Sequence, residues 1–362
     1  MDVLTLVLFL IGIVLLIAGA ELLVRGASAL AAIFGISPLV VGLTVVAYGT
    51  SAPELAVSIQ SGLSGQSDIA LGNIVGSNIV NVLGVLGISA AVAPLVVARR
   101  LVRLEVPLLI AASVLLWLFA LNGRLGPIEG GIFVAGLGIY TVFLIRASRR
   151  EELSGRFDTS DSSRPSIQGL AVRLAMVLAG LALLVLGARW LVAGAVELAR
   201  TLGVTELIIG LTVVAIGTSL PEIATSLVAS LRGERDIAVG NIVGSSVCNI
   251  LLVLGMTSLI LPGGIIVAAS ARNFDIPVMT AVAIVCLPIF FTGHLISRRE
   301  GLLLLGYYAA YVSYLFLRAS EHAALGAFSV VMLAFVVPLT ALALAMIAVR
   351  AFRERDRSAG RA

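Results

Sequence analysis

Residues 42–54 read GLTVVAYGTSAPE, and residues 210–222 read GLTVVAIGTSLPE. Eleven of the thirteen positions are identical at an offset of 168. The match continues through GNIVGSNIVN (72–81) and GNIVGSSVCN (240–249), giving 29 identities in 46 positions between 42–87 and 210–255. Each copy sets a Pro-Glu pair, Pro53-Glu54 and Pro221-Glu222, inside an otherwise apolar stretch. A carboxylate in hydrocarbon is costly, and its presence there points to function.

The surroundings of the repeat are those of a membrane protein. The chain has 362 residues, of which 60% are hydrophobic and 12% charged, a composition unlike that of a soluble domain. Apolar stretches predict helices at 3–24, 36–63, 67–94, 102–121, 127–146, 168–199, 204–231, 235–261, 274–293, 299–317 and 325–349. The first has Asp2 ahead of it and no basic n-region or small-residue cleavage site, so it reads as a retained helix. The two motif copies fall on the second and third helices of each five-helix half. Further upstream, Gly19–Ala27 aligns with Gly187–Ala195 at the same offset. The expected organisation is a first repeat over 1–146, a polar linker over 147–167, a second repeat over 168–320, and an extra helix with a basic tail over 321–362.

An odd number of helices per half makes the second half enter the membrane from the opposite side, so the repeats are inverted. Every basic residue is Arg. This topology places nineteen Arg on one face and four on the other, with Arg189 inside a helix. The rich face should be cytoplasmic, the N-terminus outside and the C-terminal tail inside, in a plasma membrane. The basic excess thus reports orientation and no nucleic-acid partner. Cys248 and Cys286 lie in apolar segments and read as buried thiols.

Proline removes an amide donor and clashes with the carbonyl four residues back, here Gly49 for Pro53 and Gly217 for Pro221. Paired helix breaks in matching positions of two halves mark a transporter site. Thr50, Ser51 and Glu54 share a helix face, as do Thr218, Ser219 and Glu222. In the following helices Asn73, Ser77 and Asn81 form one polar stripe, and Asn241, Ser245 and Asn249 form its copy. An all-oxygen set suits hard cations such as Ca²⁺ and Na⁺. His294 and His322 fall outside the repeats. Gly72, Gly76, Gly240 and Gly244 permit close helix packing. Glu21 and Arg189 occupy equivalent positions and read as structural. Asp68 and Asp236 begin helices and read as caps, with an entrance role as the alternative.

The paired GxxxxAxGTSxPE and GNxxGSxxxN segments resemble the α-repeats of the sodium/calcium exchanger family, within the cation/Ca²⁺ exchanger superfamily. The resemblance implies an all-α polytopic protein of ten core helices in two inverted five-helix repeats, followed here by an eleventh helix. It implies that Glu54 and Glu222 bind Ca²⁺ and border sodium sites, and that Thr50 and Thr218 contribute backbone carbonyls. Ser51, Ser219, Ser77 and Ser245 match side-chain sodium ligands, Ala47 and Ala215 carbonyl donors at flanking sodium sites, and Asn81 and Asn249 the polar pair beside the central site. Many relatives carry Asp at the position of Asn249, and its absence argues against potassium dependence. The expected function is an antiporter exchanging Na⁺ for Ca²⁺ and exporting calcium. These ions are cargo; no cofactor and no catalysis are expected. A proton/calcium antiporter using the same glutamates is the alternative. A passive cation channel and an intramembrane enzyme are more distant ones, and the sequence holds no HExxH and no phosphate loop.

Overall fold

In hydrocarbon every backbone amide needs an internal partner, so apolar spans of this length fold as helices. The computed structural model describes residues 3–153, 167–202, 215–291 and 294–342. Within them the chain is a two-repeat helical bundle. The first repeat comprises α1 (Val3–Phe34), α2 (Pro38–Leu63), α3 (Ser67–Val92), α4 (Leu101–Ala120) and α5 (Pro127–Leu153). The second comprises α6 (Ile167–Thr201), α7 (described over Ala215–Gly217 and Leu220–Leu231), α8 (Arg235–Ile260), α9 (Ala271–Phe291) and α10 (Arg298–Ala319). An eleventh helix, α11, is described over Leu325–Leu342. Apart from α7, whose first part lies outside the described residues, each is long and apolar enough to cross a membrane. Linker residues 154–166 and the basic tail 343–362 also fall outside the described set.

α1 runs ten residues beyond its expected end at Val24. Arg25 does not stop the helix, because Glu21 one turn earlier meets its charge at 2.6 Å. The stop comes at Gly35, whose φ of 60° suits glycine, with the Ile36 amide reaching back to the Ala31 carbonyl at 3.0 Å. The same closure recurs symmetrically at Gly65 and Gly233 (φ 78° and 80°). Asp68 and Asp236 sit in the first turns of α3 and α8, where they suit the helix dipole. They are not caps: Gln66 and Glu234 hold those positions, without side-chain capping bonds.

Four two-residue strands fasten the repeats together. β1 (Leu95–Val96) pairs antiparallel with β4 (Leu295–Ile296), and β2 (Arg124–Leu125) pairs with β3 (Ile265–Ile266). Each clasp joins a loop of one repeat to a loop of the other. Outer bonds repeat the symmetry, Val97 N–H to His294 O at 2.8 Å and Val267 N–H to Gly123 O at 2.9 Å. Even His294, at φ 53°, takes the left-handed conformation of its counterpart Gly123. Paired loops must share a membrane face, and six helices separate β1 from β4 while four separate β2 from β3. One helix, α4, separates β1 from β2, so the clasps lie on opposite faces. Since β3 is the counterpart of β1, the repeats are inverted.

α3 and α8 lie at the centre of the bundle, with α1, α6, α10 and α11 on its outside. α1 and α6 pack as an antiparallel pair on glycines spaced by seven: Gly12 meets Gly187 and Gly19 meets Gly180, while Gly26 seats Val177 and Gly194 seats Phe9. A methyl group on Gly19 would stand 2.8 Å from the Gly180 carbonyl, and one on Gly187 2.8 Å from that of Gly12. Such contact replaces the hydrophobic effect as the source of helix association in lipid. α11 attaches to α10 through the Tyr307 hydroxyl, which donates to Thr340 Oγ1 at 2.6 Å.

Gly19→Leu should force α1 and α6 apart and cost about 1–3 kcal/mol, the usual penalty of overpacking. Gly138→Ala is the control, because its position is exposed and a methyl there meets nothing within 4 Å among the described residues. Thermal unfolding in detergent should show a lowered midpoint for the first variant and none for the second.

Candidate cation-binding site

The proline breaks appear at matching places. α2 interrupts at Ser51 (φ −80°, ψ 0°) and α7 at Ser219 (φ −88°, ψ 5°), each two residues before its proline. The Ser51 amide reaches the Ala47 carbonyl at 3.0 Å and also turns toward that of Gly49. Beyond each break a new helix starts, and its first turn carries the glutamate.

Glu54 and Glu222 are both fully buried. None of their four carboxylate oxygens has a hydrogen-bond partner among the described residues. The two side chains are near enough to repel each other, and Thr50 and Ser245 lie beside Glu222. Two buried carboxylates this close together are far from electrostatic balance.

Around them the repeats are cross-linked. Thr50 Oγ1 donates to Asn241 Oδ1 at 3.2 Å and also meets Ser245 Oγ at 3.2 Å. Its counterpart Thr218 donates to Asn73 Oδ1 at 3.1 Å, and Ser219 Oγ to Ser77 Oγ at 3.3 Å. The break of each repeat is thereby pinned to the polar stripe of the other. The NH₂ of Asn73 donates to the Glu54 carbonyl (3.1 Å) and to Ser58 Oγ (2.9 Å), and that of Asn241 to Ser226 Oγ (2.9 Å). These two asparagines are therefore engaged at both ends of the amide. Ser51 Oγ, both amide atoms of Asn81 and the oxygen of Asn249 are buried without hydrogen-bond partners among the described residues. Ala47 is buried in the same region, and Ala215 opens the described part of α7. Thr50, Asn73, Ser77, Thr218, Ser219, Asn241 and Ser245 of α2, α3, α7 and α8 thus meet.

Sequence reasoning missed several polar neighbours. Ser58 and Ser226 sit one turn beyond the glutamates at the repeat offset, a signal that was available. Asn78 was missed because its counterpart is Ser246, which breaks the symmetry. A second pair of acids went unnoticed. Glu105 of α4, fully buried, accepts from the Tyr140 hydroxyl at 2.6 Å and from Arg100 Nε at 3.3 Å. Asp275 of α9 accepts from Tyr311 at 3.3 Å. Both acids end a π-helical turn (Leu101–Glu105, Ala271–Asp275) just before an X-Pro step, at Pro107 and Pro277. Unlike the central glutamates, each has a bonded partner and ties neighbouring helices together.

Access to the centre is unequal. On the Arg-rich face α1 packs along the Leu220–Leu231 part of α7. There Arg232, which caps that segment, reaches Glu21 of α1 with two guanidinium nitrogens, and Arg25 joins the same carboxylate. By symmetry α6 should pack along the Ala52–Leu63 part of α2, and no comparable packing exists among the described residues. Pro221, Thr225 and Ala229 are buried, whereas Pro53, Val57 and Ser61 are half-buried. Glu21 and Arg189 are structural in unequal ways: the acid holds this contact, and Arg189 is exposed.

Tyr140→Phe should leave buried Glu105 short of one partner and cost about 1–3 kcal/mol. A lowered unfolding midpoint would register it, with the ion dependence of transport unaltered.

Comparison with known proteins agrees with this arrangement. Residues 4–146 and 172–317, the two repeats, match the family model described as sodium/calcium exchanger protein. The putative antiporter CaxA of Alkalimonas amylolytica is 39% identical over 293 residues, covering 80% of this chain and 91% of its own. The sodium/calcium exchanger MaX1 of Methanosarcina acetivorans is 34% identical over 323 residues, covering 80% and 92%. A solved structure of the sodium-calcium exchanger NCX_Mj superposes with a TM-score of 0.75 at 27% identity, over 86% of this chain and 99% of its own. With both repeats matched and the paired Pro-Glu breaks meeting at its centre, the chain belongs to the sodium/calcium exchanger family and is a cation antiporter.

Proposed function

We propose that the protein exchanges Na⁺ for Ca²⁺ across the plasma membrane and exports calcium. The observation that carries this reading is the pair of buried carboxylates, Glu54 and Glu222, one from each inverted repeat, without hydrogen-bond partners among the described residues. One Ca²⁺ matches their combined charge, and sodium ions can match it in turn. An empty site leaves both charges uncompensated in a low dielectric, so the empty protein crosses between its two faces poorly. Loaded forms cross, and the two fluxes are coupled without a chemical fuel.

In this reading Glu54 and Glu222 bind the divalent ion with the Thr50 and Thr218 carbonyls. Ser51, Ser77, Ser219 and Ser245, with the carbonyls of Ala47 and Ala215, serve the flanking sodium positions. Asn81 and Asn249 complete the centre. Asn73 and Asn241, engaged at both amide ends, act as struts that hold the two breaks in register. The Arg-rich face is cytoplasmic. The packing of α1 on α7 then closes the cytoplasmic approach, and the thinner cover near Ala52–Leu63 marks the outward approach.

Proteoliposomes loaded with sodium, then diluted into calcium without sodium, provide the test. Wild-type protein should accumulate calcium, and Glu54→Gln or Glu222→Gln should abolish accumulation while leaving the protein monodisperse. Normal exchange by either variant would remove that glutamate from the ligand set. Replacing the sodium gradient by a pH gradient or a potassium gradient should leave calcium uptake at background. Uptake driven by the pH gradient alone would make protons the counter-ion, and uptake with no gradient of a second cation would make the protein a channel.

A further inference from the structure

Asn81 and Asn249 are the same residue at the same place in each repeat, yet the fold holds them differently. Asn249 Nδ2 donates to Asn78 Oδ1 at 3.3 Å, and Asn78 Nδ2 donates onward to Met279 Sδ at 3.4 Å. That leaves Asn249 Oδ1 buried without a partner, while Asn81 has neither amide atom bonded. The counterpart of Asn78 in the second repeat is Ser246, whose hydroxyl donates to the Ile242 carbonyl of its own helix at 2.9 Å. Nothing equivalent restrains Asn81 among the described residues.

A primary amide offers a cation either its oxygen or its NH₂, and only the oxygen is a ligand. The direction of the chain of donors decides which end Asn249 presents. The Met279 thioether only accepts, so Asn78 turns its NH₂ toward sulfur and its oxygen toward Asn249. Asn249 must then give its own NH₂ to Asn78. The other hydroxyl in this region, Ser113 Oγ, donates to Leu109 O at 2.8 Å and does not compete. A small cavity of about 10 Å³ lies beside Asn78, bounded by Ser113, Ser246 and Met279.

We propose that Asn78, set by Met279, is a positioning residue that holds the Asn249 oxygen toward the cation site, making Asn249 a preset ligand and Asn81 an adjustable one. This rests on the reading that Asn249 borders the transported cation. A preset oxygen favours the ion that needs many oxygens at once, so its loss should weaken calcium binding more than it slows turnover.

The test is sodium-driven calcium uptake in proteoliposomes, measured against external calcium. Asn78→Leu should raise the half-saturating calcium concentration about five- to tenfold, as expected for losing one buried hydrogen bond, with the maximal rate within about twofold. In an Asn249→Leu background the same substitution should add nothing. Met279→Leu, which conserves volume and leaves both asparagines intact, should give a smaller rise of about two- to threefold; it carries the test alone if Asn78→Leu does not fold. Additive effects of Asn78→Leu and Asn249→Leu, or half-saturation unmoved in both Asn78→Leu and Met279→Leu, would overturn the proposal. Glu54→Gln, run in parallel, separates the outcomes. Retained exchange in that variant overturns the calcium site itself, whereas its loss beside an unmoved Asn78→Leu overturns only the positioning role.

Discussion

Two carboxylates that face each other without a counter-charge govern the rest of this molecule. Glu54 and Glu222 are buried with no hydrogen-bond partner among the described residues, and a protein interior does not tolerate two such charges unless a cation or protons neutralise them. The surrounding architecture brings these two groups together, with the Thr50 and Ser245 hydroxyls beside Glu222. Helix breaks at Ser51 and Ser219 let each glutamate begin a helix inside the bundle. Thr50 and Thr218 then reach across to Asn241 and Asn73, so neither break can shift without disturbing the other repeat. The contrast with Glu105 is instructive. That acid is equally buried, but Tyr140 and Arg100 bond it, and it fastens helices.

Inversion supplies the pairing, and small departures from symmetry supply direction. The repeats agree in their breaks, their glycine turns at 65 and 233, their clasps and their acid–tyrosine pairs. They differ where Arg232 meets Glu21, with Ser64 at the corresponding place in the first repeat. They differ again where Asn78 stands opposite Ser246. A perfectly symmetric exchanger would have no reason to rest with one face better covered than the other.

Much of this was legible in the chain because the repeat compares two copies of one solution. Identity at a fixed offset located Glu54 and Glu222, and helical spacing added Thr50, Ser77, Asn81 and their partners. Odd helix counting gave the inversion that the clasps display. What escaped had no local pattern. Tyr140 lies 35 residues from Glu105 and shares no motif with it; only the matching of RLEVP (103–107) with NFDIP (273–277) at their last residues could have linked that acid to Asp275. The spacing of glycines by seven on α1 and α6 was visible, but nothing in either helix alone says that the other is its partner. Asn78 was passed over because a symmetry search discards the residue that lacks a twin.

The β1–β4 and β2–β3 clasps carry a mechanical consequence. Each ties a loop of one repeat to a loop of the other, one at either membrane face. With α4, which joins β1 to β2, and α9, which joins β3 to β4, they form a hoop closed at both rims. The halves of a hoop cannot rock apart like two jaws, because opening either rim would break a clasp. The α1–α6 pair stands outside the hoop, joined to itself through close glycine contacts, and neither clasp holds it.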